Sequence, residues 1–433
     1  MNPWNEELHL PQCGVREAAL IEGSELHSEY RIVASNSAVK FAHQRRCRQR
    51  TAILRYGDCA IPDASPPDMN EVSDSALTNV DTGMLWDFWY PALRSHQVRG
   101  RDLRRAMLLD VPLVIGRDAR NKPFALRDVC PHRGMPLSCG LLDGETVECS
   151  YHGWRFDALT GQCREIPSIT ADSKLRVDRI YAGSYPCDER DGYIWVYMTA
   201  PNSPRLEQAP VPAPELPKFG ERYSTAHLSA EMPVHVDHGI IGLMDPAHGP
   251  FVHQSWWWRK RRSIHEKHKQ FEPIPDGFRM SPHTPSANSL PYKFLKMITG
   301  APVTTTIDFT LPSYRFEQVR AGNLWFSSRA VVTPVRRDLC RLDFCAAWNV
   351  LRYVPVVGFI VEVLGPRFIA QDTDTMTKQA VGLQSNPHLM LIDDADRPAK
   401  WYFQLKAAHL ESKRAGAPAP HPMEGPVTLH WRS

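Results

Sequence analysis

From Trp86 onward the chain breaks into short apolar runs separated by turn residues, beginning with Trp86-Asp87-Phe88-Trp89-Tyr90-Pro91. Val111 to Ile115 and Phe124 to Leu126 flank Arg117-Asp118-Ala119-Arg120-Asn121-Lys122, the pattern of two β-prone runs joined by a polar reversal, which predicts a hairpin. Thr146 to Cys149, Trp154 to Phe156 and Tyr193 to Met198 read as further strands. Strands this short, with no helical period among them, predict a small all-β domain over residues 84–200. Pro201, Pro204, Pro210, Pro212, Pro214 and Pro217 then stiffen the chain, which suits a domain boundary. Residues 303–350 read as antiparallel strands, for example Thr304 to Phe309 and Ala330 to Val332, and helical periods follow near 366–384 and 396–413. The expected fold class is α+β: an all-β domain, then a domain over 201–433 with an antiparallel sheet flanked by helices.

Residues 1–83 carry no such periodicity. Arg45, Arg46, Arg48 and Arg50 crowd together, and residues 60–68 are polar and Pro-rich, so a disordered extension is expected. Translation beginning at Met69 or Met84 is the other reading of this segment. Met1 to His9 is acidic and lacks the apolar core of a signal peptide, and the apolar run Val354 to Leu364 is broken by Pro355 and Glu362, short of the ~20 residues that span a bilayer. A cytoplasmic protein with no membrane partner is expected. A formal charge of +3 gives no reason to expect nucleic acid, and ten cysteines in 433 residues do not make a disulfide scaffold; clustered Cys and His point to metal instead.

Two such clusters stand out. Cys130-Pro131-His132 and Cys149-Ser150-Tyr151-His152 give C-x-H, sixteen residues, then C-x-x-H. A structural zinc site is one reading. Zinc motifs, however, usually pair like ligands at short spacing, whereas each half here offers one thiolate and one imidazole. That mixture suits a Rieske [2Fe–2S] cluster, in which one iron takes two thiolates and the other two imidazoles. The second cluster is Asp245-Pro246-Ala247-His248-Gly249-Pro250-Phe251-Val252-His253. Histidines five apart lie about 140° apart on a regular helix. Gly249-Pro250 is expected to bend the backbone between them and let both reach one metal. Iron held by two His and one carboxylate keeps positions open for O₂ and substrate. Two later aspartates compete for the third position: Phe368, Ile369, Asp372, Met376 and Leu383 fall near one helical stripe, whereas Asp374 shares a face with Gln371 and Lys378. A carboxylate on the apolar face needs a cation, so Asp372 is the expected ligand and Asp374 a solvated residue.

With these motifs the chain resembles a Rieske non-haem iron oxygenase, specifically the oxygenase α-subunit of the aromatic ring-hydroxylating family, over roughly residues 84–410. The resemblance implies that Cys130, His132, Cys149 and His152 bind a [2Fe–2S] cluster and that His248, His253 and a late Asp bind mononuclear Fe(II). Tyr151 stands where Rieske proteins of respiratory complexes carry a disulfide cysteine, which favours the oxygenase and ferredoxin branch. Asp245 matches a catalytic carboxylate that bridges a cluster-ligand imidazole, here His152, to an iron-ligand imidazole, here His248, between subunits of a homotrimer. Electrons are implied to come from NAD(P)H through a separate reductase or ferredoxin, for hydroxylation or demethylation of an aromatic or polycyclic compound with O₂. A Rieske electron carrier without oxygenase activity, and a zinc-stabilised binding module, are the rival readings. His235, Asp237 and His238 read as groups behind the ligands or as ordinary polar residues, Trp256-Trp257-Trp258 as pocket lining or core, and Arg259-Lys260-Arg261-Arg262 as a docking patch for an acidic redox partner or a solvated face.

Overall fold

The strand Tyr193–Met198 is buried at every position and shows how the two halves of the protein are joined. It lies between Phe88–Arg94 and Cys187–Arg190 in a three-stranded sheet. Alternate side chains of a strand face opposite sides, so Ile194, Val196 and Met198 pack with Leu108, Leu113 and Ile115, while Tyr193, Trp195 and Tyr197 pack with Leu216, Tyr314 and Trp325 from the later chain. A strand covered on both faces needs no polar alternation, hence its unbroken apolar sequence. The computed structural model describes residues 83–253, 264–285, 290–350, 355–385 and 387–433; the extension up to residue 82, Trp256-Trp257-Trp258 and Arg259-Lys260-Arg261-Arg262 lie outside them.

Two further small sheets complete the first half. Val111–Arg117 and Pro123–Arg127 form the expected hairpin, closed by Asp118, whose Oδ1 accepts the N–H groups of Arg120 and Lys122 at 2.9 and 2.8 Å. Leu141–Leu142, Thr146–Glu148, Arg155–Asp157 and Cys163–Glu165 form the other, around a core that includes Val147, Phe156, Leu137 and both Cys130 and Cys149.

The second half is built on eight antiparallel strands: β1 (Ser224–Met232), β2 (Glu266–Ile274), β3 (Gly277–His283), β4 (Thr304–Thr310), β5 (Tyr314–Ala321), β6 (Leu324–Arg336), β7 (Leu339–Trp348) and β8 (Val427–Arg432), in the order β1-β7-β6-β5-β4-β3-β2-β8. Helices α1 (Val236–Met244), α2 (Gly249–Val252), α3 (Leu290–Thr299), α4 (Pro355–Leu383) and α5 (Arg397–Ala415) follow the chain order among these strands. Period 2 again sorts the side chains. Val332 of β6 and Leu342 of β7 pack with Ile240, Ile369, Trp401, Tyr402 and Leu405 of α1, α4 and α5, and Val331 and Cys345 face the first half. The α+β class expected from the sequence is the class observed. The first of the two late helices begins at Pro355 rather than near 366, so that Pro366 stands inside it.

The junction between the halves is ionic at its centre. Arg329 of β6 and the Asp191 side chain, 1% and 3% exposed, pair at 2.8 Å, and Lys218 reaches the other Asp191 oxygen at 2.8 Å. Leu216 donates its N–H to Asp191 at 2.7 Å, and Tyr314 donates to the Trp89 carbonyl at 2.6 Å. Only the end of the Pro-rich segment packs in the junction, with Ala213 and Leu216 buried, while Pro201, Pro204, Pro210 and Pro212 are exposed.

Candidate metal centres

The two Cys-His loops are built alike. The Cys130 N–H donates to the Met135 carbonyl at 2.8 Å and its own carbonyl accepts from Gly134 at 2.9 Å; the Cys149 N–H donates to Trp154 at 2.8 Å and its carbonyl accepts from Gly153 at 3.0 Å. Both glycines hold positive φ, +73° and +69°, which favours a residue without Cβ. The loops also meet closely, since a Cβ on Gly140 would lie 1.9 Å from the Glu148 carbonyl oxygen. Each cysteine is 2% exposed, the His132 and His152 rings lie 4.5 Å apart, and His132 stacks on Trp154 at 4.7 Å with 3° between planes. Beneath them the fully buried Asp128 carboxylate accepts from the Ser138 N–H and hydroxyl at 2.6 and 2.7 Å.

This donor set fits an iron–sulfur cluster better than a single ion. Burial, followed by the adjacent Cys149 sulfur, pushes the Cys130 thiol up to about 11, against the pull of backbone N–H bonds from His132 and Arg133; thiolates at this depth require a cation. Tetrahedral zinc would set its ligand atoms about 3.3–3.8 Å apart. Among the described residues, no three of Cys130, His132, Cys149 and His152 have ligand atoms within 4.8 Å of one another. Two thiols on one side and two imidazoles on the other are what two bridged irons need.

His248, His253 and Asp372 do converge within 4.8 Å. His248 Nε2 lies 3.3 Å from His253 Nε2, and Asp372 Oδ1 lies 3.2 Å from His253 Nε2 and 3.9 Å from His248 Nε2. Metal bonds of ~2.1 Å at right angles put neighbouring ligand atoms about 3 Å apart, so one ion fits this triangle. The outer nitrogens are held: His248 Nδ1 by the Asp245 carbonyl at 2.7 Å and His253 Nδ1 by Gln371 Oε1 at 3.0 Å. Asp374 points elsewhere, pairing with Lys378 at 2.5 Å with its side chain 62% exposed.

The backbone bend differs from the sequence expectation. Helix α1 ends at Asp245-Pro246, before His248, and Gly249–Val252 forms one helical turn whose N-cap is His248 and whose C-cap is His253. Pro250 sits in the first turn, where no intrahelical N–H partner is lost, and so does not break it; the two imidazoles meet because they occupy opposite caps of one turn. The Asp245 carboxylate is 3.7 Å from His248 Nδ1, and burial raises its pKa, opposed by the Ala247 N–H and His248.

Three sets of contacts have no local signature in the sequence, although His235 and Asp237 read there as groups behind the ligands or as ordinary polar residues. Gln371, expected on the Asp374 face, reaches His253. Phe368 stacks on the His253 ring at 4.0 Å and 11°. Asp237, fully buried, receives Lys406 Nζ at 2.8 Å on each oxygen and the Tyr402 hydroxyl, while His235 caps α1 with Nδ1 accepting from the Asp237 N–H at 3.3 Å. Pairings across some 165 positions leave no local signal in the chain.

The paired loops lie in a segment with a known counterpart: residues 88–182 match the family model of the Rieske [2Fe-2S] domain. The chain is 36% identical over 179 residues to the chloroplastic chlorophyllide a oxygenase of Chlamydomonas reinhardtii, covering 40% of this chain and 25% of the relative. It is 33% identical over 171 residues to the oxygenase component of dicamba O-demethylase from Stenotrophomonas maltophilia, covering 39% and 47%. The matched part thus spans between about a quarter and a half of these relatives' length. The crystal structure of dicamba monooxygenase bound to dicamba superposes with a TM-score of 0.59 at 19% identity, over 76% of this chain and 98% of that one, and shares its fold. The resemblance to Rieske oxygenase α-subunits therefore rests on the domain, on relatives named as oxygenases and on the fold. No described helix is long and apolar enough to cross a membrane.

Proposed function

We propose that the chain is the oxygenase component of a multicomponent Rieske non-haem iron oxygenase, with a Rieske domain over 84–200 and a catalytic domain over 201–433. Cys130, His132, Cys149 and His152 hold the [2Fe–2S] cluster, and His248, His253 and Asp372 hold Fe(II). The observation that carries this reading is the convergence of two imidazole nitrogens and one carboxylate oxygen within 4.8 Å behind a Rieske domain, because an electron carrier has no use for a second, open metal site. The iron supplies O₂ activation beside the substrate.

The protein's own groups orient and insulate. The Asp245 carbonyl fixes the His248 ring, Phe368 shields one face of His253, and burial of His253 to 5% exposed excludes water from that ligand. In a homotrimer the Asp245 carboxylate, 3.7 Å from His248 Nδ1, lies between His248 and His152 of the next subunit and shortens the electron route. Electrons come from NAD(P)H through a separate reductase or ferredoxin, and the substrate is an aromatic or polycyclic compound that is hydroxylated or demethylated. The test is O₂ uptake with a surrogate reductase and NADH over a panel of aromatic, methoxylated and steroid-like compounds. Uptake that depends on one compound and yields its hydroxylated or demethylated product supports the reading; cluster reduction with no compound-dependent uptake across the panel assigns the chain to electron transfer.

A further inference from the structure

Helix α4 touches His253 on three sides. Phe368 lies against the ring face at 4.0 Å, Gln371 Oε1 meets Nδ1 at 3.0 Å, and Asp372 Oδ1 meets Nε2 at 3.2 Å. Residues three and four apart on a helix share a face and adjacent residues point about 100° apart. One turn of α4 can therefore place an aromatic plane, an amide and a carboxylate around a single imidazole. The other histidine is treated differently, since the acceptor of His248 Nδ1 is a backbone carbonyl that no substitution removes.

We propose that Gln371 is the positioning residue of the mononuclear metal site, fixing His253 in the tautomer that turns the Nε2 lone pair toward the metal. This rests on the reading of His248, His253 and Asp372 as metal ligands. The physical basis is that an imidazole carries one proton when neutral. An acceptor at Nδ1 keeps that proton there and leaves Nε2 free to bind. Without the acceptor, Nε2–H can donate to Asp372 Oδ1 at 3.2 Å, and that bond must be broken before metal enters. Groups in this position usually contribute 10- to 100-fold in metal affinity. Glutamate in place of Gln371 keeps an acceptor at similar reach, whereas leucine keeps the bulk and loses the acceptor.

The test uses the full chain with its cluster in place, Fe(II) as the probe, and competition against a chelator to obtain affinity. The geometry at iron is read separately from the EPR signal of the Fe(II)–nitric oxide adduct with the cluster oxidised. Gln371→Leu is expected to weaken Fe(II) by roughly 10- to 100-fold and to change the symmetry of that signal, while cluster content and thermal midpoint stay at the wild-type level. Gln371→Glu is expected to restore binding. Wild-type affinity and an unchanged signal in Gln371→Leu overturn the proposal, as does failure of Gln371→Glu to recover what Gln371→Leu loses. A wild-type chain that binds no Fe(II) outside its cluster instead overturns the reading of the triad itself.

Discussion

Lys406→Met is the sharpest test of what holds helix α1, and with it the approach to His248, in place. Lys406 and the Asp237 carboxylate are 1% and 0% exposed, with Nζ 2.8 Å from each oxygen. Methionine keeps most of the apolar stem and removes the charge. Asp237 is then left buried with the Tyr402 hydroxyl as donor, which burial first and Asp237 second keep well above the usual tyrosine range and therefore protonated. Breaking a buried pair by removing one partner costs about 3–5 kcal/mol, and at about 2–4 °C per kcal/mol for a domain of this size the midpoint falls by roughly 6–20 °C. The assay is thermal unfolding by circular dichroism at one scan rate, because metalloproteins of this size commonly unfold irreversibly. Asp237→Asn with Lys406→Met removes both charges, so the double variant is expected to lose less than the sum of the two single variants, with a coupling of about 0.5–3 kcal/mol. A midpoint within about 2 °C of wild type for Lys406→Met, or strictly additive losses, would refute the argument.

Acid should weaken the same region. Burial, then His235, lower the His238 pKa from 6.5 against the opposing pull of Asp237. A depressed histidine binds its proton more readily when unfolded, so its contribution is intact above pH 6.5 and is lost as pH falls toward the folded value. Urea unfolding at about pH 7.5 and about pH 5.5 is expected to show lower stability at the acid end, by up to about 1.4 kcal/mol per pH unit for this one group. His238→Leu should show a smaller drop, whereas an equal drop contradicts the assignment; His227, His283 and His409 share the direction and contribute as well. Gly140→Ala drives a methyl into the Glu148 carbonyl at 1.9 Å. Forced overpacking costs about 1–3 kcal/mol or more, and here it separates the Cys-His loops; the EPR signal of the reduced cluster should fall several-fold, and a full signal would show that the loops tolerate the displacement.

Much of the architecture was legible because it is local. The hairpin at residues 111–127 is written in its turn, where Asp118 gathers two backbone N–H groups, and the two Cys-His loops are each closed by one positive-φ glycine within a few residues. The helical stripe containing Asp372 separated it from Asp374 through a 3.6-residue period. What was not legible depends on distance along the chain or on side-chain reach. Asp237 reads either as a group behind the ligands or as one more polar residue until Tyr402 and Lys406 of α5 arrive beside it. Gln371 lies between two faces of α4, and its two-carbon stem carries the amide to His253, which a helical projection of α-carbons does not capture. Gly249-Pro250 looked like a break because proline inside a helix is a break; its place in the first turn of a four-residue helix could be known only once α1 was seen to end at Asp245.

Two separate metal centres on one chain are what an oxygenase requires here, and counting iron tests them directly. Anaerobically purified protein is expected to hold about three iron atoms and about two labile sulfides per chain. Asp372→Ala should lower the iron to about two while the reduced cluster signal is unchanged, and Asp374→Ala, which removes only an exposed pair worth at most about 1 kcal/mol, should leave about three. Iron near two in the wild-type chain, or no loss of iron on Asp372→Ala, would contradict the mononuclear centre and with it the oxygenase reading.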